Sequence, residues 1–585
     1  NKKFKIPTAK KRPLIAVALL LTSLGITTSC IDNSYDLNKD IDMTISAGGE
    51  HLAIPVGYTE KITLDKIIEI EEGDDLQLVD GEYHLLKKGN IDNATTEIGE
   101  VTVTGTTTII EATPIAEVAA ALTHWQTMAA SINKTGTIEV SAHDIDDAIK
   151  EIGALKASSP TELIINLGIT AGENMDFDNI TFTDLKITFP SILDFEPYTG
   201  LSNNILDLDG LTINKGEEKN ISLQVKGYKF GNETPDGKKI IGNTLNINEK
   251  VIVEGKTTVD VKMGSSGTIS FTPTIELQEM DIQSVTGVIQ PIIEPTGSTV
   301  NLENLPDFLE DDATELDITN PIFTFIAKNP LEAPIVLNGT MQGEKNGSII
   351  EGSTVILGRN GIDQQDIILE KGDNIIALSR LGTGGPEGSK NIKVSNINDL
   401  IKKIPDVVKV DLNPLVEYAT YYTVDLTTSY AMESNYDIDI PLNFGSNLKI
   451  VYDETIDNFD LDLEDVDIKK AILSINAVNT IPLAMEIKNE NVSALDANGN
   501  VIKDIDVTVE GTITESKDGK AEVSSTLNIN LNETAEGAIS KLDGLKLKVT
   551  AVPGQATDVQ LLSTQWLQLT DMKLKIPNGI KVDLN

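Results

Sequence analysis

Apolar and polar residues alternate with a period of two along most of this chain, in runs rich in Ile, Val and Thr. A period of two puts successive side chains on opposite faces, as in a β-strand with one buried face. Gly, Asn and Asp interrupt the runs and predict turns between them. The clearest predicted strands are residues 100–110, 220–230, 244–263, 267–277 and 506–515.

Two short segments predict tight hairpins between such strands. Residues 79–86 read VDGEYHLL and residues 496–502 read DANGNVI, with Asp-Gly or Asn-Gly at the turn. These dipeptides favour the left-handed backbone that a two-residue hairpin turn requires.

Four segments instead predict helices. Thr63 would cap a helix over residues 63–72, and a Thr-Pro pair opens the longest predicted helix, residues 113–132. The other two are residues 142–155 and 396–405. The longest one is predicted to be amphipathic and contains Trp125, one of only two Trp residues in the chain.

An internal repeat relates residues 316–337 to residues 466–487 at a constant offset of 150. The identical positions are Asp317 and Asp467, Ile318 and Ile468, Ile322 and Ile472, Ala327 and Ala477, and Asn329 and Asn479. A second similarity joins residues 182–190 to residues 569–577, and Pro190 and Pro577 end these two alternating strands. The repeat predicts tandem modules of about 150 residues.

The predicted fold class is mainly β, with tandem β-sandwich-like modules and a few short helices. The predicted division of the chain follows its sequence. It comprises a signal peptide (1–29), a polar tether (30–50), a small N-terminal β/α unit (51–95), a first β module with helical insertions (96–263), a second β module (264–395) and a third β module (396–585).

The segment 1–29 has the layout of a secretory signal. Residues 1–13 carry six Lys and Arg and no acid, and the apolar run LIAVALLLTSLGI follows at 14–26. This run is too short to span a bilayer, which takes about 20 apolar residues. Small residues then precede Cys30, the only cysteine of the chain.

Small residues directly before a Cys resemble the cleavage site of a bacterial lipoprotein, although Thr27 stands where the strict pattern has Leu. The resemblance implies that the Cys30 thiol is acylated and becomes the new N-terminus. Acyl chains would then hold the protein on a membrane. No thiol would be left for a disulfide, a zinc site or a nucleophile.

Charge narrows the range of partners. The chain has 47 Lys and Arg against 90 Asp and Glu, a net charge of −43. Without residues 1–29 the count is 41 against 90, a net charge of −49. Nucleic acid is therefore not expected as a partner, because binding its backbone requires a positive surface.

Five segments carry a further resemblance. They are residues 30–45, which read CIDNSYDLNKDIDMTI, and residues 52–89, 305–334, 397–406 and 441–487. Together they resemble an uncharacterised family of Bacteroidota envelope lipoproteins. The family carries no assigned activity, so the resemblance implies no functional residue other than the acylated Cys30.

Candidate chemistry is sparse. The four histidines, His51, His84, His124 and His143, form no HExxH or HxH motif, and no cofactor is expected. Residues 380–390 are rich in Gly but lack the Gly-Lys-Ser/Thr order of a phosphate loop, so they predict a loop between two strands.

The most acidic segment offers a calcium hypothesis. Asp460, Asp462 and Glu464 share one face of a predicted strand and are weak calcium candidates. A solvated strand face is the favoured interpretation, because the Gly and the final Glu of a calcium loop are missing. No metal site is therefore predicted.

Three functions agree with these observations. The leading hypothesis is a lipid-anchored outer-membrane protein, not an enzyme, with a structural or interaction role. The second is a surface glycan-binding accessory protein of a nutrient-uptake system, against which the scarcity of Trp argues. The third is a hydrolase with an unrecognised site. The partner, whether protein or glycan, and the oligomeric state are left open.

The residues after Cys30 bear on location. Ile31 stands where Asp would retain a lipoprotein in the inner membrane, so onward export to the outer membrane is expected. Surface-displayed lipoproteins of this bacterial group carry a run of acidic residues near the mature N-terminus. This chain resembles them in part, with Asp32 and then Asp36. The cell surface is favoured over the periplasmic face.

Overall fold

The structure is a computed structural model, and its strands form three modules. It describes residues 53–577 and 581–582, except residues 69, 71, 232–237, 241, 303–304, 306–308, 310, 457–458, 460–465 and 557. The predicted signal peptide and tether lie outside the described residues.

The N-terminal segment contributes four strands and one helical turn. They are β1 (Ala53–Gly57), β2 (Ile62–Thr63), α1 (Leu64–Ile67), β3 (Leu76–Val79) and β4 (Glu82–Thr96). Helix α1 follows Thr63 as predicted but is only four residues long. Asp80 and Gly81 both have positive φ between β3 and β4, which confirms the predicted hairpin turn.

The first module begins with β5. Its strands are β5 (Thr102–Val103), β6 (Thr106–Ile109), β7 (Thr113–Val118), β8 (Gln126–Ala142), β9 (Ile149–Ala171), β10 (Asn179–Thr188), β11 (Leu193–Phe195), β12 (Leu201–Ser202), β13 (Ile205–Asp207), β14 (Thr212–Asn214), β15 (Asn220–Lys229), β16 (Lys238–Lys239), β17 (Leu245–Val261), β18 (Gly267–Leu277) and β19 (Met280–Ile289).

The second module follows. Its elements are β20 (Thr296–Asn301), β21 (Ile322–Asn329), β22 (Ile335–Lys345), β23 (Ser348–Ile349), β24 (Val355–Leu357), a 3-10 helix (Gly358–Asn360), β25 (Ile367–Leu369), β26 (Gly372–Ser379), β27 (Lys390–Lys393), a 3-10 helix (Ile397–Leu400), β28 (Val407–Leu415), β29 (Tyr421–Asp425) and β30 (Tyr430–Pro441). Strand β29 is an exception, because it pairs with β19 of the first module.

The third module closes the chain. Its elements are β31 (Asn443–Phe444), β32 (Ile450–Ile456), β33 (Val466–Asp467), β34 (Lys470–Asn479), β35 (Ala484–Leu495), β36 (Ile505–Glu510), β37 (Val523–Glu533), a 3-10 helix (Ile539–Lys541), β38 (Gly544–Val552), β39 (Val559–Gln560), β40 (Trp566–Lys575) and β41 (Lys581–Val582). Residues 380–390 connect β26 to β27, which confirms the predicted loop between strands.

The mainly β prediction is confirmed. In the first module the long strand β9 pairs with β15, β18 and β19, and β17 pairs with β8 along its whole length. The rings of Phe182 on β10 and Phe271 on β18 lie 5.0 Å apart, so the two layers pack face to face through buried aromatic side chains. Along β18 the buried residues alternate with more exposed ones, as the sequence predicts.

The internal repeat is also confirmed. Strand β21 lies between β26 and β30, and β34 lies in the same way between β37 and β40. The second strand of each repeat, β22 or β35, joins the other layer and pairs there with β28 or β38. The second and third modules therefore have equivalent central strands, related by the same offset as the repeated sequences.

Two predicted helices are wrong. Residues 113–132 form β7, a loop and the start of β8, and residues 142–155 form the last residue of β8, a turn and the start of β9. In the second segment the spacing of buried residues resembles a helix, because β9 has register shifts opposite Gly287 and Ile289. A β-bulge adds a residue and resets the alternation. The predicted helix over residues 396–405 is reduced to the short 3-10 helix Ile397–Leu400.

Strand pairing groups the chain differently from its linear order. Strands β18 and β19 pair with β9, so the first module continues past residue 263 to Ile289. Strand β4 pairs with β30 of the second module, and β1 and β2 pair with β40 of the third. The N-terminal segment thus completes two sheets whose other strands lie far later in the sequence.

Candidate binding surface at the tip of the first module

The sequence-predicted site residues are not brought together. Cys30 and the calcium candidates Asp460, Asp462 and Glu464 lie outside the described residues. Within the described part of the chain, no group of three or more His, Cys, Asp or Glu side chains could hold a metal ion.

His84 lies on β4, as predicted for a hairpin strand. Its Nδ1 atom is 2.6 Å from Oδ1 of Asp439, and its Nε2 atom is 3.6 Å from Oε2 of Glu82. The contact with Asp439 joins β4 to β30, and Glu82 lies on β4 itself, so His84 is explained as a structural residue.

Two cavities are candidate ligand sites. An apolar cavity of about 30 Å³ lies inside the third module, far below the several hundred Å³ typical of a ligand site. A polar cleft of about 460 Å³ lies beside Asp312, Lys345 and Asp406. There Nζ of Lys345 is 3.1 Å from Asp312, and the Asn346 amide donates to Asp406 at 2.6 Å. These polar groups satisfy one another, so the cleft does not point to a ligand.

The strongest surface feature is an exposed tryptophan at one end of the first module. Trp125 is 59% exposed and stands just before β8, and Met263, just after β17, is 64% exposed. These residues are close because Gln126 pairs with Val261 in the two strands that begin and end there. We call Trp125, Met263 and the charged side chains around them the tip surface.

Three loops are tied together beneath the tip surface. The backbone amide of Leu122 donates a hydrogen bond to the carbonyl of Ser265, and the amide of Gly264 donates one to the carbonyl of Leu122. The hydroxyl of Ser265, which is buried, accepts the amide of Asp176 at 2.9 Å. Residues 119–125, 173–178 and 262–266 therefore form a fixed base, so the exposed side chains stand on an ordered backbone.

Lys262 links the aromatic ring to the acids. Its Nζ atom lies 5.8 Å from the centre of the Trp125 ring and 2.6 Å from Oδ1 of Asp178. The hydrogen bond to Asp178 raises the pKa of Lys262 above its ordinary value, so the cation is present at neutral pH. An ammonium near a Trp ring is attracted by the ring's quadrupole.

Further polar groups surround the ring. Nζ of Lys215 contacts Asp176 at 3.3 Å, and the hydroxyl of Thr127 donates to Asp260 at 2.6 Å. The tip surface therefore combines one broad apolar face with carboxylates and ammonium groups that remain partly exposed. Such a surface can stack on a flat apolar face and form hydrogen bonds to hydroxyl groups beside it.

Sequence reasoning missed this surface because it placed Trp125 inside a helix. The Ala-rich stretch before it favours a helix locally, but Ile115, Ala116 and Val118 are buried in β7 against β18. The signal that could have identified a strand here is the alternation that begins directly after Trp125 and continues along β8.

The comparisons with known proteins do not identify the chain. No protein-family model and no curated protein sequence matches it. A candidate secreted protein of Parabacteroides distasonis is 14% identical over 50% of this chain and 82% of that chain, with a TM-score of 0.34. Particles derived from infectious bursal virus contain a chain that is 9% identical over 86% of this chain and 80% of that chain, with a TM-score of 0.14.

A viral protein with a triple jelly roll fold, from an archaeal virus, is 9% identical over 78% of this chain and 91% of that chain, with a TM-score of 0.12. TM-scores this low do not indicate a shared fold, so none of these proteins informs the function. Within the described residues, no helix is long and apolar enough to cross a bilayer.

Proposed function

We propose that this chain is a lipid-anchored protein of the bacterial outer membrane with a non-catalytic structural or interaction role. The observation that carries the proposal is the position of Cys30, directly after a basic start, a short apolar run and three small residues. The resemblance to an uncharacterised family of Bacteroidota envelope lipoproteins supports the same location.

The described body fits this role in two ways. It consists of three β modules without a thiol, so its stability comes from apolar cores and not from disulfides. The tip surface presents an exposed aromatic ring on a fixed base, which suits recognition of a partner.

Lipid labelling tests the anchor. The full-length chain is expressed in a Bacteroidota host with an alkyne-tagged fatty acid, as the wild type and as Cys30→Ser. The variant is expected to lose the label and to move from the membrane fraction to the soluble fraction. Ser34→Ala, a few residues away, is the control and should keep both. Membrane retention of Cys30→Ser would rule out the anchor.

Protease treatment of intact cells tests the orientation. We propose that the protein faces the cell surface, and degradation of the full-length protein is then expected. Full protection, with a known surface lipoprotein degraded in the same sample, would place it on the periplasmic face.

Glycan binding is the second candidate function, and Trp125 is the observation that favours it. The apolar face of a neutral sugar ring can lie on an exposed Trp side chain while carboxylates accept hydrogen bonds from its hydroxyl groups. Asp176 and Asp178 lie on the same surface and are linked to the ring through Lys262. The net charge of −43 favours a neutral glycan over an anionic one.

Affinity electrophoresis in gels that contain neutral polysaccharides tests the second candidate. Trp125→Ala is expected to lose the retardation of the wild type, with affinity at least about tenfold lower. Tyr58→Ala is the matched control, because Tyr58 is an aromatic residue that is 72% exposed and lies far from Trp125 in the sequence, between β1 and β2, which both pair with β40 of the third module. If the wild type is not retarded by any polysaccharide, or if both variants lose retardation equally, the tip surface is not a glycan site.

A further inference from the structure

Met263 differs from the other methionines that the structure describes. Its side chain is 64% exposed, and it stands at the tip surface directly after β17. Met128 on β8 is half-buried and packs against the core. The remaining described methionines are at most 7% exposed, and they are Met175, Met280, Met341, Met432, Met485 and Met572. Within the described part of the chain, the thioether of Met263 is therefore the most open to reagents in solution.

The backbone on both sides of Met263 is held in place. Strand β17 ends at Val261, which pairs with Gln126 at the start of β8. The amide of Gly264, the residue after Met263, donates a hydrogen bond to the carbonyl of Leu122 at 2.8 Å. Met263 therefore stands on the same fixed base as Trp125, and its exposure belongs to the folded state.

The fold does not depend on the Met263 side chain. Met263 belongs neither to the buried core nor to the partly buried residues that pack against it. A polar group on its sulfur would meet water, whereas the same group on a buried methionine would have to enter an apolar core. A modification of Met263 therefore changes the surface of the first module and leaves its packing intact.

We propose that Met263 is a reversible oxidation site that controls the apolar character of the tip surface. The oxidant is hydrogen peroxide or an organic hydroperoxide. The lone pair of Sδ attacks one peroxide oxygen, an S–O bond forms and the O–O bond breaks. The proton of the transferred oxygen passes to the leaving oxygen. Sulfur is thus oxidised by two electrons to the sulfoxide, and the peroxide is reduced to water or an alcohol.

The sulfoxide changes what the tip surface can bind. It is polar, and its oxygen accepts hydrogen bonds, so the apolar area beside the Trp125 ring becomes smaller. A ligand that lies on the ring and extends over Met263 loses apolar contact. The expected loss of affinity is about fourfold, which corresponds to the burial of one methylene group. This effect on binding rests on the proposed glycan site, whereas the oxidation itself does not.

Peptide mass spectrometry tests the oxidation site. The folded full-length chain is treated with a limited dose of hydrogen peroxide at neutral pH, and fragmentation locates each added oxygen. Met263 is expected to gain oxygen at least about tenfold faster than the six buried methionines, because these react only after local opening. A pair of methionine sulfoxide reductases, one for each epimer, should remove it. Equal rates at Met263 and at the buried methionines would overturn the proposal.

The effect on the tip surface is measured at Trp125. Isotope-labelled tryptophan gives one indole N–H signal in the NMR spectrum for each of the two Trp residues, and Trp566→Phe assigns them. Oxidation should shift the signal of Trp125 and not that of Trp566. Met263→Leu keeps an apolar side chain and should abolish the shift. Met175→Leu changes a buried methionine of the same module and should retain it. Oxidised Met263 without a shift at Trp125 would contradict the link to the tip surface.

Affinity electrophoresis in neutral polysaccharides tests the consequence for binding. Peroxide is expected to lower the affinity of the wild type about fourfold and to leave that of Met263→Leu unchanged. Met263→Gln, which is polar without oxidation, should bind more weakly before any treatment. If the untreated wild type is not retarded, the glycan function fails, and mass spectrometry and the Trp125 signal still decide on the oxidation site. Retardation that does not change when Met263 is oxidised would overturn the control of binding.

Discussion

Asn329 and Asn479 close the same turn in two successive modules. In each module, Oδ1 of the Asn accepts a hydrogen bond from the backbone amide two residues later, Leu331 or Ile481, at 2.8 Å. In each, Nδ2 donates to the carbonyl four residues on, at 2.9 or 3.0 Å. A second bond from Nδ2 reaches another segment, at Leu369 or Thr514. Both Asn side chains are almost fully buried. Their side-chain amides therefore hold the turn by which the chain crosses from one sheet layer to the other.

Asn479→Ala is expected to destabilise the third module by about 1–3 kcal/mol, because buried amide and carbonyl groups lose their partners. Trp566 reports on this module, since its amide is hydrogen bonded to Thr480 next to Asn479. Urea unfolding is followed by Trp566 fluorescence in a Trp125→Phe background. Asn329→Ala makes the same change in the second module and should shift the Trp566 transition less. Equal shifts would mean that the effect is not local.

A buried carboxylate joins the second and third modules. Oδ1 of Asp317 accepts a hydrogen bond from Arg380 at 2.7 Å, and Oδ2 accepts two from Asn447 at 3.0 and 3.1 Å. Burial raises the pKa of Asp317, but the bonds from Arg380 and Asn447 outweigh it, so the pKa lies below its usual value. A carboxylate with a lowered pKa stabilises the fold fully above its unfolded pKa, about 3.9, and progressively less below it.

Asp317→Asn is therefore expected to increase hydrogen exchange of the segment around Asn447 at neutral pH. The expected local loss is about 1–3 kcal/mol, and the difference from wild type should shrink as the pH falls below about 4. Exchange is measured by mass spectrometry of peptides from residues 440–450. Asp363→Asn is the control, because Asp363 binds Ser395 at a different place in the second module. A difference that does not change with pH would contradict the ion-pair explanation.

Gly153 leaves room for an aromatic ring. A Cβ atom at this position would collide with Oη of Tyr421, whose strand β29 pairs with β19 beside β9. Gly153→Ala should destabilise the first module by about 1–3 kcal/mol, because the ring must move. Gly172→Ala in the same module is the control, since its Cβ would have only ordinary contacts, the nearest at 3.6 Å. Trp125 fluorescence in a Trp566→Phe background reports unfolding, and equal effects would contradict the steric argument.

Lys262 is expected to shield and orient the ring of Trp125. In a Trp566→Phe background, Lys262→Ala should increase acrylamide quenching of the remaining tryptophan. Lys215→Ala is the control, because Lys215 lies over Phe177 and binds the carbonyl of Met175. It should leave the quenching unchanged. No increase in Lys262→Ala would mean that the cation does not restrain the ring.

Much of the fold could be predicted from the sequence because its signals are local. Alternation identified the strands, Asp80 and Gly81 identified a hairpin, and the constant offset between the repeats identified equivalent strands in two modules. The helix predictions were wrong where a helix-like spacing of apolar residues had another cause. In β9, register shifts rather than helical turns space the buried residues Ile149 and Ile152.

The tip surface and the place of β1 could not be predicted, because each depends on pairing between distant residues. Trp125 approaches Met263 through the register of β8 with β17, and Ala53 approaches Lys575 from the opposite end of the described chain. No short-range pattern encodes such a pairing. Both features therefore become visible only once the strand pairing of the folded chain is known.

The edge position of β1 also has a mechanical consequence. If a lipid at Cys30 is pulled along the strand direction, tension enters at Ala53 and loads the backbone bonds between β1 and β40 together, in shear. Detachment of β1 would leave β40 with an open edge, and such edges recruit strands from other chains. The two hydrogen bonds between Thr59 and Leu569 oppose this detachment, so they also reduce the tendency of β40 to pair with a strand of another chain.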